Sequence, residues 1–114
     1  MRTWGTALLV AASALAGCGS SAQRPPATAQ RALRAEGRAL FLDAHCGDCH
    51  ALAAAGTRGG DGPDLDTSER LDRAQIAAAL LAGANGMPSY AQLLSARQRR
   101  AVTEFLYEVT HAQR

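Results

Sequence analysis

The sequence predicts an all-α fold, and three observations lead to this prediction. Alanine is abundant, aromatic residues make up only 4% of the 114 residues, and β-branched residues are sparse, a composition that favours helices over sheets. Several stretches place apolar residues at helical spacing. The segments between them are rich in Gly and Pro, which is typical of loops. The chain is long enough for one small domain.

The first predicted helix has an apolar face that contains a glycine. Its face is formed at i, i+4, i+7, i+8 and i+11 by Leu33, Gly37, Leu40, Phe41 and Ala44. Glycine is unfavourable inside a helix, so Gly37 indicates that another element approaches closely there.

Two further helices have sequence signals at their starts. Asp72 and Gln75 have capping-box spacing ahead of an apolar run that Gly83 ends, and Ser95 and Gln98 repeat this spacing before a last helix. Residues 56–65 contain four glycines and a proline and are predicted to be loop. The sequence therefore predicts three main helices and no convincing strand.

The first seventeen residues have the pattern of an export signal. Arg2 precedes the uncharged apolar run at residues 7–16, which suits a signal peptide and is too short for the ~20 residues of a membrane-spanning helix. A buried N-terminal helix is the alternative. Residues 19–30 contain Ser, Gln, Thr and Pro-Pro without apolar periodicity. We therefore expect a flexible linker over residues 18–31 and a folded domain over residues 32–114.

The strongest chemical signal is the sequence CGDCH at residues 46–50. The pattern C-x-x-C-H is the attachment signal for a c-type haem. On one helical turn Cys46 and Cys49 lie on the same side, so each thiol can bond to a haem vinyl group, and the imidazole of His50 can then reach the iron. Between the cysteines, Gly47 and Asp48 need only tolerate the turn. A covalent cofactor also suits a small domain with few aromatic residues, because its own core is small.

Three other kinds of site contain a C-x-x-C pattern. A thioredoxin-like C-x-x-C needs a βαβ unit, which a helical chain lacks. A structural zinc site takes four ligands from two separated clusters, whereas Cys46, Cys49, His50 and His45 all fall in one turn. A disulfide between Cys46 and Cys49 remains possible but leaves His50 without a role.

A second iron ligand can be sought among the remaining residues. A Met thioether paired with His raises the reduction potential by favouring ferrous iron. Of two methionines, Met1 leaves with the signal peptide, and Met87 lies in a loop beside Gly86 and Pro88. The alternative role for Met87 is to fill a gap in the core. His111 could in principle bind the iron, but it lies at the C-terminal end, and His45 is too close to the attachment turn to reach the other face of the haem.

Over residues 35–109 the chain resembles the bacterial class I c-type cytochromes. The resemblance rests on Gly37 and Phe41 before CGDCH, GPDL at 62–65, GMPSY at 86–90 and the last-helix stretch EFLYEV. It implies a small cytochrome c fold wrapped around one covalently attached haem, with the terminal helices crossing where Gly37 and Phe41 meet Phe105 or Tyr107.

The resemblance also implies roles for two loop residues. The carbonyl of Pro63 would accept a hydrogen bond from His50 Nδ1–H, which orients the ring and makes Nε2 a stronger electron donor to the iron. Met87 matches the sixth ligand of the family. The expected pocket walls are apolar side chains: Leu52, Leu65, Ile76, Leu80, Leu93, Leu94 and Leu106.

The expected function is that of a single-haem electron carrier, not an enzyme, which meets redox protein partners briefly. The formal charge is +2 and Arg and acidic residues are interspersed, so nucleic-acid binding is not expected. The alternatives are a haem-based sensing or peroxidase-like module with a labile Met ligand, and the electron-transfer subunit of a larger oxidoreductase complex.

The remaining cysteine suggests a membrane anchor. Leu15-Ala16-Gly17-Cys18 resembles the bacterial lipobox, which implies cleavage after residue 17, a diacylglyceryl group on Cys18 and an acyl chain such as palmitate on its amino group. An ordinary cleavage site with a free thiol is the alternative. Several acyl chains hold a protein firmly, and a twelve-residue coil spans about 20 Å. We therefore expect the domain in the cell envelope, tethered in the periplasm or on the outer face of the plasma membrane.

Overall fold

A computed structural model describes residue 1 and residues 24–112 of the chain. The predicted signal peptide, Cys18 and the first part of the predicted linker lie outside the described residues. The helices are α1 (Ala27–Asp43), α2 (Cys46–Cys49), α3 (Arg73–Ala82) and α4 (Ala96–His111), and the two strands are β1 (Ala51–Leu52) and β2 (Thr57–Arg58), joined through a 3-10 turn at Ala53–Ala55.

The described chain is helical with little strand, but it differs from the prediction in detail. It holds four α-helices instead of three, since the cysteine-containing turn is a short helix of its own. Part of the segment predicted as loop pairs as a strand, with Ala51 opposite Arg58 in an antiparallel hairpin. Gly56, at φ 74°, reverses the chain between the two strands, a conformation that glycine adopts without strain.

Helix α1 starts earlier than the sequence predicted. It begins at Ala27, directly after Pro26, whereas coil was expected through Gln30. Proline suits the residues around a helix start because its missing N–H has no partner to lose there, and the alanines that follow are strong helix formers. The last residues of the predicted 18–31 linker are therefore helical.

Both predicted capping boxes are present. The Asp72 carboxylate accepts the backbone N–H of Gln75 at 2.8 Å, and the Gln75 side chain accepts the N–H of Asp72 at 2.9 Å. At α4, Ser95 and Gln98 make the same reciprocal pair. These bonds satisfy backbone donors that a helix start otherwise leaves free.

The core is organised around the crossing of α1 and α4. A Cβ on Gly37 would lie 2.1 Å from the carbonyl oxygen of Ala101 and 2.7 Å from the Cβ of Phe105, so only glycine allows the helices this close. One turn on, the rings of Phe41 and Phe105 meet edge to face with centroids 6.1 Å apart. The expected contact of Gly37 and Phe41 with Phe105 is thus confirmed. No helix in the described ranges has the length and hydropathy to cross a membrane.

Gly37→Ala should destabilise the protein by roughly 2 kcal/mol or more, because the overpacking cost exceeds the gain in helix propensity. For a domain of this size this lowers the melting temperature by about 10 °C. Thermal unfolding of the purified holoprotein measures the effect. The control is Ala35→Ser, since Ala35 is an exposed residue of the same helix; equal melting temperatures for both variants would contradict this view of the crossing.

Candidate functional site

Helix α2 presents the two cysteines in different environments. The residue before it, His45, adopts a left-handed conformation at φ 60° and turns the chain from α1 into α2. Cys46 is buried and Cys49 is exposed, and neither is in a disulfide. Burial raises the pKa of the Cys46 thiol, since the thiolate is the form that loses solvation.

The β1–β2 hairpin packs directly against this turn. A Cβ on Gly47 would lie 2.3 Å from the Thr57 methyl group, and one on Gly59 would lie 2.5 Å from the carbonyl carbon of Cys49. Thr57 also donates its hydroxyl to the carbonyl of His50 at 2.9 Å. Gly47 therefore does more than tolerate the turn: it leaves room for the hairpin that supports the turn, which the sequence analysis missed.

The imidazole of His50 lies against the loop segment at residues 62–63. Its Nδ1 lies 2.8 Å from the carbonyl oxygen of Pro63, and since a carbonyl can only accept, Nδ1 carries the proton. Nε2 then keeps its lone pair for a metal. A Cβ on Gly62 would lie 2.7 Å from the ring's Cε1 atom, so Gly62 sets how closely the loop approaches the ring.

Met87 follows a tight turn. Asn85 and Gly86 both have positive φ, 48° and 92°, and the N–H of Met87 donates to the carbonyl of Ala84 at 2.8 Å. Two positive φ values in succession indicate a type I′ turn, for which Asn-Gly is the favoured pair. The turn gives the half-buried Met87 a defined position at the end of α3.

The chain after Met87 is fixed to the last carbonyls of α3. The N–H of Tyr90 donates to the carbonyl of Leu80 at 2.8 Å, and the hydroxyl of Ser89 donates to the carbonyl of Leu81 at 2.6 Å. These bonds satisfy acceptors that the end of a helix leaves free. The Met87 loop and α3 are therefore connected by hydrogen bonds on the C-terminal side of Met87.

A cavity of about 780 Å³ lies between the His50 loop and the Met87 loop. Cys46, Cys49, His50, Pro63 and Met87 all line it, so the structure brings the sequence-predicted site residues around one space. Its other walls are mainly apolar and include Phe41, Leu65, Ile76, Ala79, Leu80, Val102 and Leu106. The volume lies in the range of cofactor sites, and the donors, a thioether and an imidazole with two thiols beside it, suit a haem iron and its vinyl groups.

Four of the seven predicted wall residues line this cavity. Leu52 and Leu94 are buried elsewhere in the core, and they do not line the cavity. The prediction for Leu93 was wrong, since its side chain is 67% exposed. It directly precedes Leu94, which packs inward, and the short turn there points Leu93 to solvent.

Tyr90 is a cavity residue to which the sequence analysis gave no role of its own. Its ring is buried, and its hydroxyl lies 3.4 Å from the carbonyl oxygen of Ala44, to which it donates. Burial, together with the nearby Cys46 thiol, raises the pKa of Tyr90 to about 12. The hydroxyl therefore stays protonated and available as a donor at neutral pH.

The two other histidines are placed differently. His45 is exposed at the mouth of the cavity, with its Nδ1 3.3 Å from an Asp48 carboxylate oxygen. His111 lies in the last turn of α4, where its Nδ1 donates to the carbonyl of Tyr107 at 2.8 Å and its ring stacks on the Tyr107 ring at 4.0 Å. His111 is not among the residues that line the cavity.

Neither the zinc-site nor the thioredoxin-like interpretation of CGDCH finds support in the described part of the chain. Within it, no three His, Cys, Asp or Glu side chains come together in a group that could hold a metal ion. The only sheet there is the two-stranded antiparallel hairpin, which is not a βαβ unit.

A family model and a solved structure are both similar to this chain. A family model described as cytochrome c oxidase, cbb3-type, subunit III, matches residues 32–106. Among solved structures, the c-type cytochrome SorU from Sinorhizobium meliloti is similar, with 30% sequence identity and a TM-score of 0.65 over 70% of this chain and 93% of SorU. No curated protein matches the sequence.

Proposed function

Since the chain belongs to the c-type cytochrome family described as cbb3-type cytochrome c oxidase subunit III, whose members bind haem covalently and transfer electrons, we propose that it is a membrane-tethered single-haem electron carrier. The observation that carries the proposal is the shared cavity, which Cys46, Cys49, His50 and Met87 line together. The sequence contains a single C-x-x-C-H, which supports one haem per chain.

The protein's own residues have three tasks in this proposal. Cys46 and Cys49 would hold the haem through thioether bonds, and His50 and Met87, which line the same cavity, would bind its iron. Haem supplies the one-electron chemistry of its iron. The bond from His50 Nδ1 to Pro63 keeps the imidazole in one tautomer, and the apolar walls keep water away from the iron, which favours the less charged ferrous form.

A fixed Met87 favours a carrier over a sensing or peroxidase-like module. A sensing or peroxidase-like module needs a coordination position on the iron that an external ligand can occupy. Met87 is instead held in place, because it lies between the Asn85–Gly86 turn and the hydrogen bonds from Ser89 and Tyr90 to α3. The proposal is tested by exposing ferrous holoprotein to carbon monoxide. We expect an unchanged spectrum and a reversible one-electron titration; ready carbon monoxide binding would favour the open-site alternative.

The description of the matched family names an oxidase subunit, which supports a second candidate. In this alternative the chain transfers electrons only inside a larger oxidoreductase complex. Purification in mild detergent separates the two: a free carrier elutes alone at the size of one chain, whereas a subunit elutes with a membrane complex in fixed ratio.

The lipid anchor at Cys18 is a separate part of the proposal. It rests on the sequence Leu15-Ala16-Gly17-Cys18 after an apolar run, and it puts the haem domain in the cell envelope. Wild-type protein should partition into the detergent phase, and Cys18→Ser should move it to the aqueous phase without changing its visible spectrum. Aqueous partitioning of the wild type would exclude the anchor.

Gly62→Ala should disturb the histidine ligand specifically. The added Cβ would lie against the His50 ring and weaken its bond to Pro63, which makes the imidazole a poorer donor to ferric iron. If the ferric state loses about 1 kcal/mol of stabilisation, the reduction potential rises by roughly 40 mV. Gly60→Ala in the same loop is the matched control, because nothing lies within 4 Å of its Cβ position. Equal potentials in both variants and the wild type would contradict the role assigned to Gly62.

A further inference from the structure

A second concave surface lies between α3 and α4. It is a groove of about 400 Å³ whose floor and walls are formed by Arg73, Ala74, Ala77, Leu81, Ala96, Arg99, Arg100 and Thr103. None of these residues lines the cavity that holds the site residues. A ligand in the groove therefore leaves the cavity mouth free.

The groove exposes apolar surface that the fold does not cover. From Ile76 to Ala82, helix α3 has no polar side chain. Ile76 and Leu80 pack into the core, while Ala77 is exposed and the Leu81 side chain is 51% exposed. A helix that faces only water on its outer side carries polar residues there, so this face of α3 indicates contact with another molecule.

The charged residues that line the groove are all arginines, and two of the three have no carboxylate partner among the described residues. Arg73 is neutralised by Glu104, whose two carboxylate oxygens lie 3.0 and 2.9 Å from its Nε. Arg99 donates to the backbone carbonyls of Ala91 and Leu94, which fix its position but do not cancel its charge. Arg100 is exposed, and among the described residues no ion pair involves Arg99 or Arg100.

These observations specify the chemistry of the missing partner. We propose that the α3–α4 groove docks an acidic partner protein, which inserts an apolar side chain beside Ala77 and Leu81 and pairs its carboxylates with Arg99 and Arg100. A concave groove fits a projecting side chain, as in helix-in-groove recognition, better than it fits the flat surface of a lipid bilayer. Because Arg99 is held in place before binding, little side-chain entropy is lost on pairing.

The test uses two synthetic helical peptides with the same leucine positions, one carrying Glu and the other Lys at the flanking positions. In NMR titrations of ¹⁵N-labelled holoprotein, the Glu peptide should shift the amide signals of Ala77, Leu81 and Arg100, and the Lys peptide should not. Affinity should fall at least tenfold in Arg100→Glu and in Ala77→Glu. Arg31→Glu, an exposed change on α1, should alter it less than twofold.

The visible spectrum and helicity of each variant should match those of the wild type, which shows that the substitution acts on binding and not on folding. The proposal is overturned if both peptides bind equally, if the shifts fall around Cys49 and Met87, or if Arg100→Glu has no effect. It is also overturned if phosphatidylglycerol vesicles bind through Arg100 while the Glu peptide does not. Self-association that Ala77→Glu abolishes, without peptide binding, would assign the groove to a second copy of this chain instead.

Discussion

Replacing both Cys46 and Cys49 with alanine is expected to leave the chain largely unfolded when it is made without haem. The reason is the cavity of about 780 Å³ in so small a domain. Without haem, the large apolar side chains that line the cavity face water instead of the cofactor. Each such side chain then lacks about 1.5–3 kcal/mol of burial free energy. A few of them together match the total stability of ~5–15 kcal/mol that is typical of a domain.

Far-ultraviolet circular dichroism measures the result. The double variant should lose most of its helical signal at 25 °C, whereas Cys49→Ala alone should keep a folded domain with one thioether bond, because Cys46 is the buried member of the pair. Native helicity in the haem-free double variant would show that the polypeptide packs without its cofactor and would contradict the account.

Met87→Ala is expected to open the iron to external ligands. The loss of the thioether should abolish the sulfur-to-iron charge-transfer band of the ferric protein and allow carbon monoxide to bind the ferrous protein. Axial ligands set haem potentials over a range of about 0.8 V, so a drop on the order of 100 mV or more is expected in a spectroelectrochemical titration.

Met87→His separates ligation from packing. It should keep two axial ligands and exclude carbon monoxide, yet lower the potential, because imidazole favours ferric iron more than a thioether does. A persistent charge-transfer band in Met87→Ala would mean that Met87 is not the ligand and that it fills a gap in the core.

The features that the sequence predicted correctly are those that depend on residues close together in the chain or on a residue type that is unusual at its position. The capping boxes at Asp72 and Ser95 need only residues three apart in the chain, and both formed. Gly37 was informative because glycine inside a helix lacks a local reason, and its reason proved to be the backbone of Ala101. The bond from His50 to Pro63 also followed the resemblance.

The features that the sequence analysis missed depend on contacts between distant residues. Gly62 is one of several glycines in the loop at residues 56–65, and Gly47 lies between the two cysteines. Only the folded chain places Gly62 against the His50 ring and Gly47 against Thr57. Strands of two residues carry no periodicity, so the β1–β2 hairpin had no detectable pattern. Leu93 and Leu94 are identical and adjacent, and only the turn before α4 decides which of them is buried.

Mass spectrometry combined with visible spectroscopy on the mature protein, made with haem-attachment machinery, tests the central claim most directly. We predict one haem bound covalently to the peptide that contains residues 46–50, and a ferric spectrum with the sulfur-to-iron band that Met87→Ala removes. A chain without covalent haem, or one in which Cys46 and Cys49 are joined as a disulfide, would contradict the account.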